Sequence, residues 1–170
     1  MKPGLGLVVL FGGFSCVSRA DDCFASFLSN EGFYGFLAAG TLVSHDRDFT
    51  LRSADALATT YLLNRGLKDV FRVPRINGGA SDSFPSGHTA GAFAVATMAA
   101  EADPKNTAWW YGGAALIGWS RVQTEAHRIP DVLAGAVVGW WVAKAELRSK
   151  SPFLLRFGGS GTEMVYYIRF

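Results

Sequence analysis

Three short stretches of the chain carry the side chains best suited to chemistry. Lys68 and Arg75 lie in KDVFRVPR, a Lys-x6-Arg spacing; Pro85-Ser86-Gly87-His88 reads as a helix start; and Arg121, His127 and Asp131 form an Arg-x5-His-x3-Asp spacing. Each alone has a plain explanation: two solvated cations near a helix end, a start capped by Ser86 with His88 in water, and a surface His–Asp pair. Combined, they are the parts needed to handle a phosphate ester. Lys68, Arg75 and Arg121 can hold its oxygens, the two arginines with planar forks. Backbone N–H groups of Ser86-Gly87-His88 add donors at a helix N-terminus beside the Ser86 hydroxyl, and Gly87 lets the main chain approach a ligand. Phosphoryl transfer then needs an in-line nucleophile and a proton for the departing oxygen. Two histidines suit those roles, one neutral and the other protonated near neutral pH. Asp131 can accept from one ring nitrogen of His127, which leaves the other free to attack.

In this order the residues resemble the three-part signature of the type-2 phosphatidic acid phosphatase and vanadium haloperoxidase superfamily. The motifs span residues 68 to 131, and the similarity in helical pattern continues to about residue 147. The resemblance implies a helical core, a phosphohistidine intermediate and, in phosphatase members, no metal ion. By motif position it makes His127 the nucleophile, Asp131 its orienting partner and His88 the acid on the leaving group. Lys68, Arg75, Ser86, Gly87 and Arg121 would bind the phosphoryl oxygens. One departure stands out: the family places proline directly after the second basic residue, whereas here Ile76 follows Arg75 and Pro74 precedes it. The expected activity is hydrolysis of a phosphate monoester or diphosphate, with a lipid-linked substrate in view. Two alternatives stand beside it: a vanadate-dependent haloperoxidase, the only reading with a cofactor, whose members are generally much longer, and a non-catalytic exported protein that keeps the motif.

Composition sets the frame. A chain of 170 residues suits one domain, expected over 21–170. A formal charge of +2, with no Lys/Arg-rich run, gives no footprint for nucleic acid. Two cysteines and three histidines do not furnish a structural zinc site. Lys2, the apolar run Gly4 to Phe14 and Ser18-Arg19-Ala20 read as an export signal over 1–20, which places the domain outside the cytoplasm, periplasmic or membrane-associated. Cleavage after Ala20 would leave Cys23 without an intramolecular partner.

The elements that must position these groups are helical. The pattern predicts an all-α bundle of about five to six helices: Phe33 to Val43, an amphipathic Arg52 to Phe71, two buried helices over Gly87 to Ala100 and Thr107 to Trp119, and one from Pro130 to about Leu147. Along Arg52 to Phe71 the apolar positions are Ala54, Leu57, Ala58, Tyr61, Leu62 and Leu67. Ser44 to Asp48, with His45, reads as a solvated loop, and Glu125 as a loop acid near the site. Phe153 to Phe157 and Met164 to Phe170, around Gly158-Gly159-Ser160-Gly161, predict a C-terminal β-hairpin closing over the bundle. No uncharged run reaches the roughly 18 to 20 residues of a spanning helix, which favours a soluble or peripheral bundle. Trp109, Trp110, Trp140 and Trp141 are expected in the core or as interfacial anchors.

Overall fold

A helix rich in alanine and glycine is thin, and the segment that follows Ser86 uses this to lie at the centre of the molecule. The computed structural model describes residues 20–44, 46–76, 78, 80–149, 156–158 and 161–163. Among these are six α-helices: α1 (Ala20–Phe27), α2 (Phe33–Thr41), α3 (Arg47–Phe71), α4 (Gly87–Ala102), α5 (Thr107–Gln123) and α6 (Ile129–Arg148). A π-helical turn, Leu28–Gly32, joins α1 to α2, and a 3-10 turn, Pro104–Asn106, leads into α5. Strands β1 (Arg156–Gly158) and β2 (Gly161–Glu163) pair antiparallel, with Phe157 opposite Thr162. The fold is the all-α bundle expected.

Helix α4 touches α2, α3, α5 and α6. Its Ala90, Ala92, Ala94, Ala96 and Ala99 are fully buried. One side packs with Phe33, Ala114 and Ile117, the other with Ala56 and Ala143. The closest approach is to α6. A Cβ on Gly139 would overlap the Ala90 carbonyl oxygen and stand 2.9 Å from the Ala94 nitrogen, and one on Gly135 would overlap the Ser86 carbonyl oxygen. The two backbones are therefore in direct contact. Farther along α6, buried Glu146 accepts from Arg52 of α3 (Nε–Oε1 3.2 Å), and Arg52 also donates to the Glu146 and Ser149 carbonyls.

Several expectations change. Helix α3 starts at Arg47 because Asp46 caps it, its carboxylate accepting the Asp48 N–H at 3.0 Å, so the expected loop is shorter. The amphipathic reading of α3 is reversed: Ser53, Ala56, Thr60 and Asn64 face the bundle, whereas Tyr61 and Leu62 are 70% and 52% exposed. Small, locally hydrogen-bonded side chains suit the close α3–α4 approach; the hydroxyls of Ser53 and Thr60 donate to the Phe49 and Ala56 carbonyls. Nor is α5 buried throughout, since Trp109, Leu116 and Trp119 are exposed, as are Ile129, Leu133, Val137, Trp140 and Trp141 on α6. Those tryptophans are not core. Apolar side chains at Ile129, Leu133, Val137 and Trp141 repeat every four residues and form one outward stripe. Among the described residues no helix is long and apolar enough to cross a membrane. Helix α1 and its π turn were not anticipated. The hairpin begins its second arm at Gly161 rather than Met164, and Met164 to Phe170 lie outside the described residues, as do His45 and the expected signal segment apart from Ala20. Cys23 on α1 is disulfide-bonded in the full chain.

Gly139→Ala is expected to destabilise the fold by about 1–3 kcal/mol through overpacking, read as a fall of several degrees in melting temperature by circular dichroism. Gly112→Ala on α5, where an added Cβ meets nothing within 4 Å, should instead hold or raise it. Equal melting of Gly139→Ala and the parent chain would show that the α4–α6 contact has slack.

Candidate active site

Three chain segments end beside the N-terminus of α4. The first is the last turn of α3, which presents Lys68 and closes where Arg72 takes a left-handed conformation (φ 45°) and its N–H donates to the Lys68 carbonyl. The loop that follows folds back on itself, with the Ser83 N–H on the Val73 carbonyl (2.8 Å), and so brings Arg75 opposite Asp82. The second is α4 itself. Ser86 is its N-cap, with extended backbone angles (φ −70°, ψ 116°), and the first N–H groups of the helix have no intrahelical acceptor. The third is the α5–α6 connection. The Arg121 carbonyl accepts the N–H groups of both Ala126 and His127 (3.1 and 3.0 Å), and Glu125 makes the turn at φ 53°. That closure fixes His127 relative to Arg121.

The segments meet around a cavity of about 840 Å³ whose walls include Lys68, Arg75, Gly87, His88, Arg121 and His127. Six of the eight residues singled out from the sequence thus share one hollow. The other two, Ser86 and Asp131, stand behind it, 0% and 3% exposed. The Ser86 N–H donates to the Asp131 carbonyl at 2.9 Å, which ties the start of α4 to the start of α6. The Ser86 hydroxyl accepts from Thr89 Oγ1 at 3.0 Å. The Ile76-for-proline departure does not keep Arg75 from the cavity. Glu125 is an exposed loop acid outside the cavity wall.

The His127–Asp131 relation is longer than a hydrogen bond. Nδ1 lies 3.8 Å from Oδ2 and has no hydrogen-bond partner. Asp131 Oδ2 instead accepts the Ser83 hydroxyl (2.6 Å) and the Arg128 N–H (3.0 Å). These bonds hold the carboxylate on the Nδ1 side of the imidazole. The other ring nitrogen is therefore directed away from Asp131.

Charge in the site is mostly positive and poorly hydrated. Burial, then the nearby Arg121, push the His88 pKa down to about 4; for His127 burial, Arg121 and Lys68 do the same, to about 4. Both imidazoles are neutral near pH 7 in the unliganded protein. Burial also lowers the Lys68 pKa, partly offset by Asp82. Asp82 binds Arg75 through two contacts, Nε–Oδ1 at 2.6 Å and Nη2–Oδ2 at 3.0 Å, which raise the Arg75 pKa and lower its own. Its carbonyl also accepts from Lys68. Arg121 donates to the buried Ser29 hydroxyl of the π turn. Asp82, Ser83 and Ser29 were not found from the sequence. Asp82 and Ser83 sit just before the Pro-Ser-Gly-His motif, but a polar residue there has no distinguishing spacing, and Ser29 lies 92 positions from Arg121. Among the described residues no three His, Cys, Asp or Glu side chains gather as a metal site.

A family model described as PAP2 superfamily matches residues 49–152, which include all three motifs. The lipid A 1-phosphatase of Porphyromonas gingivalis is 42% identical over 90 residues, 46% of this chain. The match spans only 20% of that relative's length. Among solved structures, a transmembrane PAP2-type phosphatidylglycerolphosphate phosphatase from Bacillus subtilis aligns with a TM-score of 0.48 and 22% identity, covering 75% of this chain and 83% of that one.

Two consequences of the charge balance can be measured. In an NMR titration His88 and His127 should half-protonate near pH 4, and saturating phosphate should move both upward, because an anion offsets the cations that depress them. Between about pH 4 and 6.5 unfolded imidazoles bind protons that these two do not, so their contribution to stability is full above 6.5 and declines as pH falls toward 4. Titration near 6.5 with no response to phosphate would contradict a buried, cation-lined site.

Proposed function

Because the chain belongs to the PAP2 superfamily, we propose that it hydrolyses a phosphate monoester or diphosphate, with a lipid-linked leaving group, through a phosphohistidine on His127. The observation that carries this reading is the convergence of His88, His127, Lys68, Arg75 and Arg121 on one cavity at the N-terminus of α4. In the first step the His127 nitrogen remote from Asp131 attacks phosphorus, and protonated His88 gives its proton to the departing alkoxide. This yields an alcohol, a phosphohistidine and neutral His88. In the second, His88 removes a proton from water, the oxygen displaces His127, and phosphate leaves with both histidines restored. Asp131, held by Ser83 and the Arg128 N–H, orients Nδ1 of His127 and offsets the positive charge its ring acquires.

A neutral His127 is ready to attack. His88 must gain a proton, and the dianionic substrate supplies the charge that raises its pKa in the complex. The three cationic side chains furnish the charge stabilisation, and the proposal includes no metal ion. The outward apolar stripe of α6, with Trp109 and Trp119 of α5, fits residence at a membrane surface where lipid phosphates are met. The phosphatase name of the P. gingivalis relative supports a lipid phosphate as substrate.

The test is phosphate release with an alkaline quench that preserves phosphohistidine. His127→Ala should abolish both turnover and phosphoenzyme, whereas near-normal activity would remove His127 from the mechanism. His88→Ala should slow alkyl phosphates by about 10²- to 10⁴-fold and p-nitrophenyl phosphate, whose leaving group needs no acid, far less. The wild-type profile of kcat/KM should be bell-shaped with its optimum below pH 7, and His88→Ala should remove its alkaline limb. Loss of phosphate release on chelation, restored by a divalent cation, would contradict the metal-free proposal.

A further inference from the structure

Along the inner face of α3 the hydroxyls of Ser53 and Thr60 are satisfied by their own helix, donating to the Phe49 and Ala56 carbonyls. Asn64, one turn after Thr60, is not. Its side chain is 3% exposed, and its Nδ2 has no hydrogen-bond partner. Asparagine is a poor helix former, and a buried donor left unmade destabilises a fold. At the interior of a 25-residue helix, Asn64 therefore gains the fold nothing that an apolar residue of its size would not. Its surroundings give a different reason for it. Asn64 lines the cavity with Lys68, one turn on along the same face of α3, and with Gly87 and His88 at the start of α4. Its Oδ1 lies 3.5 Å from where a Cβ on Gly87 would stand, so the carboxamide borders the first residue of that helix.

We infer that Asn64 is a further ligand of the phosphoryl group, its carboxamide donating to an oxygen of the anion beside the N-terminus of α4. The inference rests on the phosphatase reading, which puts an anion there. The two ends of a carboxamide are alike in size, so a half-turn about Cβ–Cγ brings the donor to the Gly87 side without displacing a neighbour. A neutral donor also suits the charge balance. Lys68, Arg75 and Arg121 already depress both imidazoles, and a fourth cation would deepen that. A carboxylate in the same place would repel the anion. The amide adds a hydrogen bond to a charged acceptor, which is stronger than one between neutral groups, and brings no charge of its own. Because Nδ2 has no protein partner, the anion gains this bond without breaking another.

Inorganic phosphate titrated into the isotope-labelled full chain tests this by NMR. The Asn64 side-chain NH2 pair, assigned through its bonds to the backbone, should shift along the same binding curve as the His88 and His127 rings. Asn64→Leu, of similar size, should weaken phosphate by about 10- to 100-fold and lower kcat/KM on a phosphate monoester by a similar factor. It should hold or raise the melting temperature of the unliganded chain, which a side chain kept for structure would not do. Asn64→Asp loses the donor and adds a negative charge, and should weaken phosphate at least as much. Thr59→Val is the control: the buried Thr59 Oγ1 also has no partner but lines no part of the cavity, so phosphate affinity should be unchanged. An Asn64 amide that ignores phosphate while the imidazoles respond overturns the inference and leaves the phosphatase reading, as does a folded Asn64→Leu chain that binds phosphate like its parent. If neither variant folds, the amide shift decides alone. Phosphate that moves none of these groups overturns both readings. A shift at Asn64 in a protein that hydrolyses no phosphate ester would end the hydrolase reading and leave the ligand.

Discussion

Bare backbone at Gly135 and Gly139 lets α6 lie directly on α4, and the geometry of the site follows from that contact. Gly135 meets the Ser86 carbonyl, one residue before the turn that presents Gly87 and His88 to the cavity. A turn earlier on α6, Asp131 accepts the Ser86 N–H through its carbonyl and holds Ser83 with its carboxylate. The N-termini of the two helices are thereby locked together, and the groups on each are placed relative to the other. No long side chain intervenes whose rotamers could loosen the arrangement. Small residues elsewhere serve the same end, as Gly118 does where α5 lies against Val132 and Thr89.

Rigid placement matters because the site gathers like charges. Lys68, Arg75 and Arg121 face one hollow with two imidazoles, and their mutual repulsion and dehydration appear as depressed pKa values at Lys68, Arg121 and both histidines. Asp82 relieves part of this by holding Arg75 and, through its carbonyl, Lys68. A guanidinium has five N–H donors, so the pairing orients Arg75 without exhausting it. A phosphate dianion supplies the charge the unliganded site lacks. In the proposed reaction the same anion would raise the proton affinity of His88 and so couple substrate binding to readiness of the acid.

What could be read from sequence divides along physical lines. Lys68, Arg75, Gly87, His88, Arg121 and His127 were legible because cationic and imidazole groups in that order have a joint chemical purpose, and all six reach the cavity. The helices from α2 to α6 were legible from periodicity and from punctuation at Pro85, Pro104 and Pro130. The burial of α3 was not, since reading apolar residues as core assumes that only water lies outside; Tyr61 and Leu62 face outward while Thr60 and Asn64 face in. Partners that act through one hydrogen bond across long separations, such as Ser29 with Arg121, leave no local signal.

The central claim is that one anion can sit among all five charged or imidazole side chains with His127 in line. The most direct measurement is an experimental structure with orthovanadate, which adopts the geometry of a phosphoryl group in transfer. The account predicts vanadium within bonding distance of the His127 nitrogen remote from Asp131, with its oxygens shared among Lys68, Arg75, Arg121 and the first N–H groups of α4, and one oxygen toward His88. Vanadate bound elsewhere, or held by the cations with His127 turned away, would contradict it.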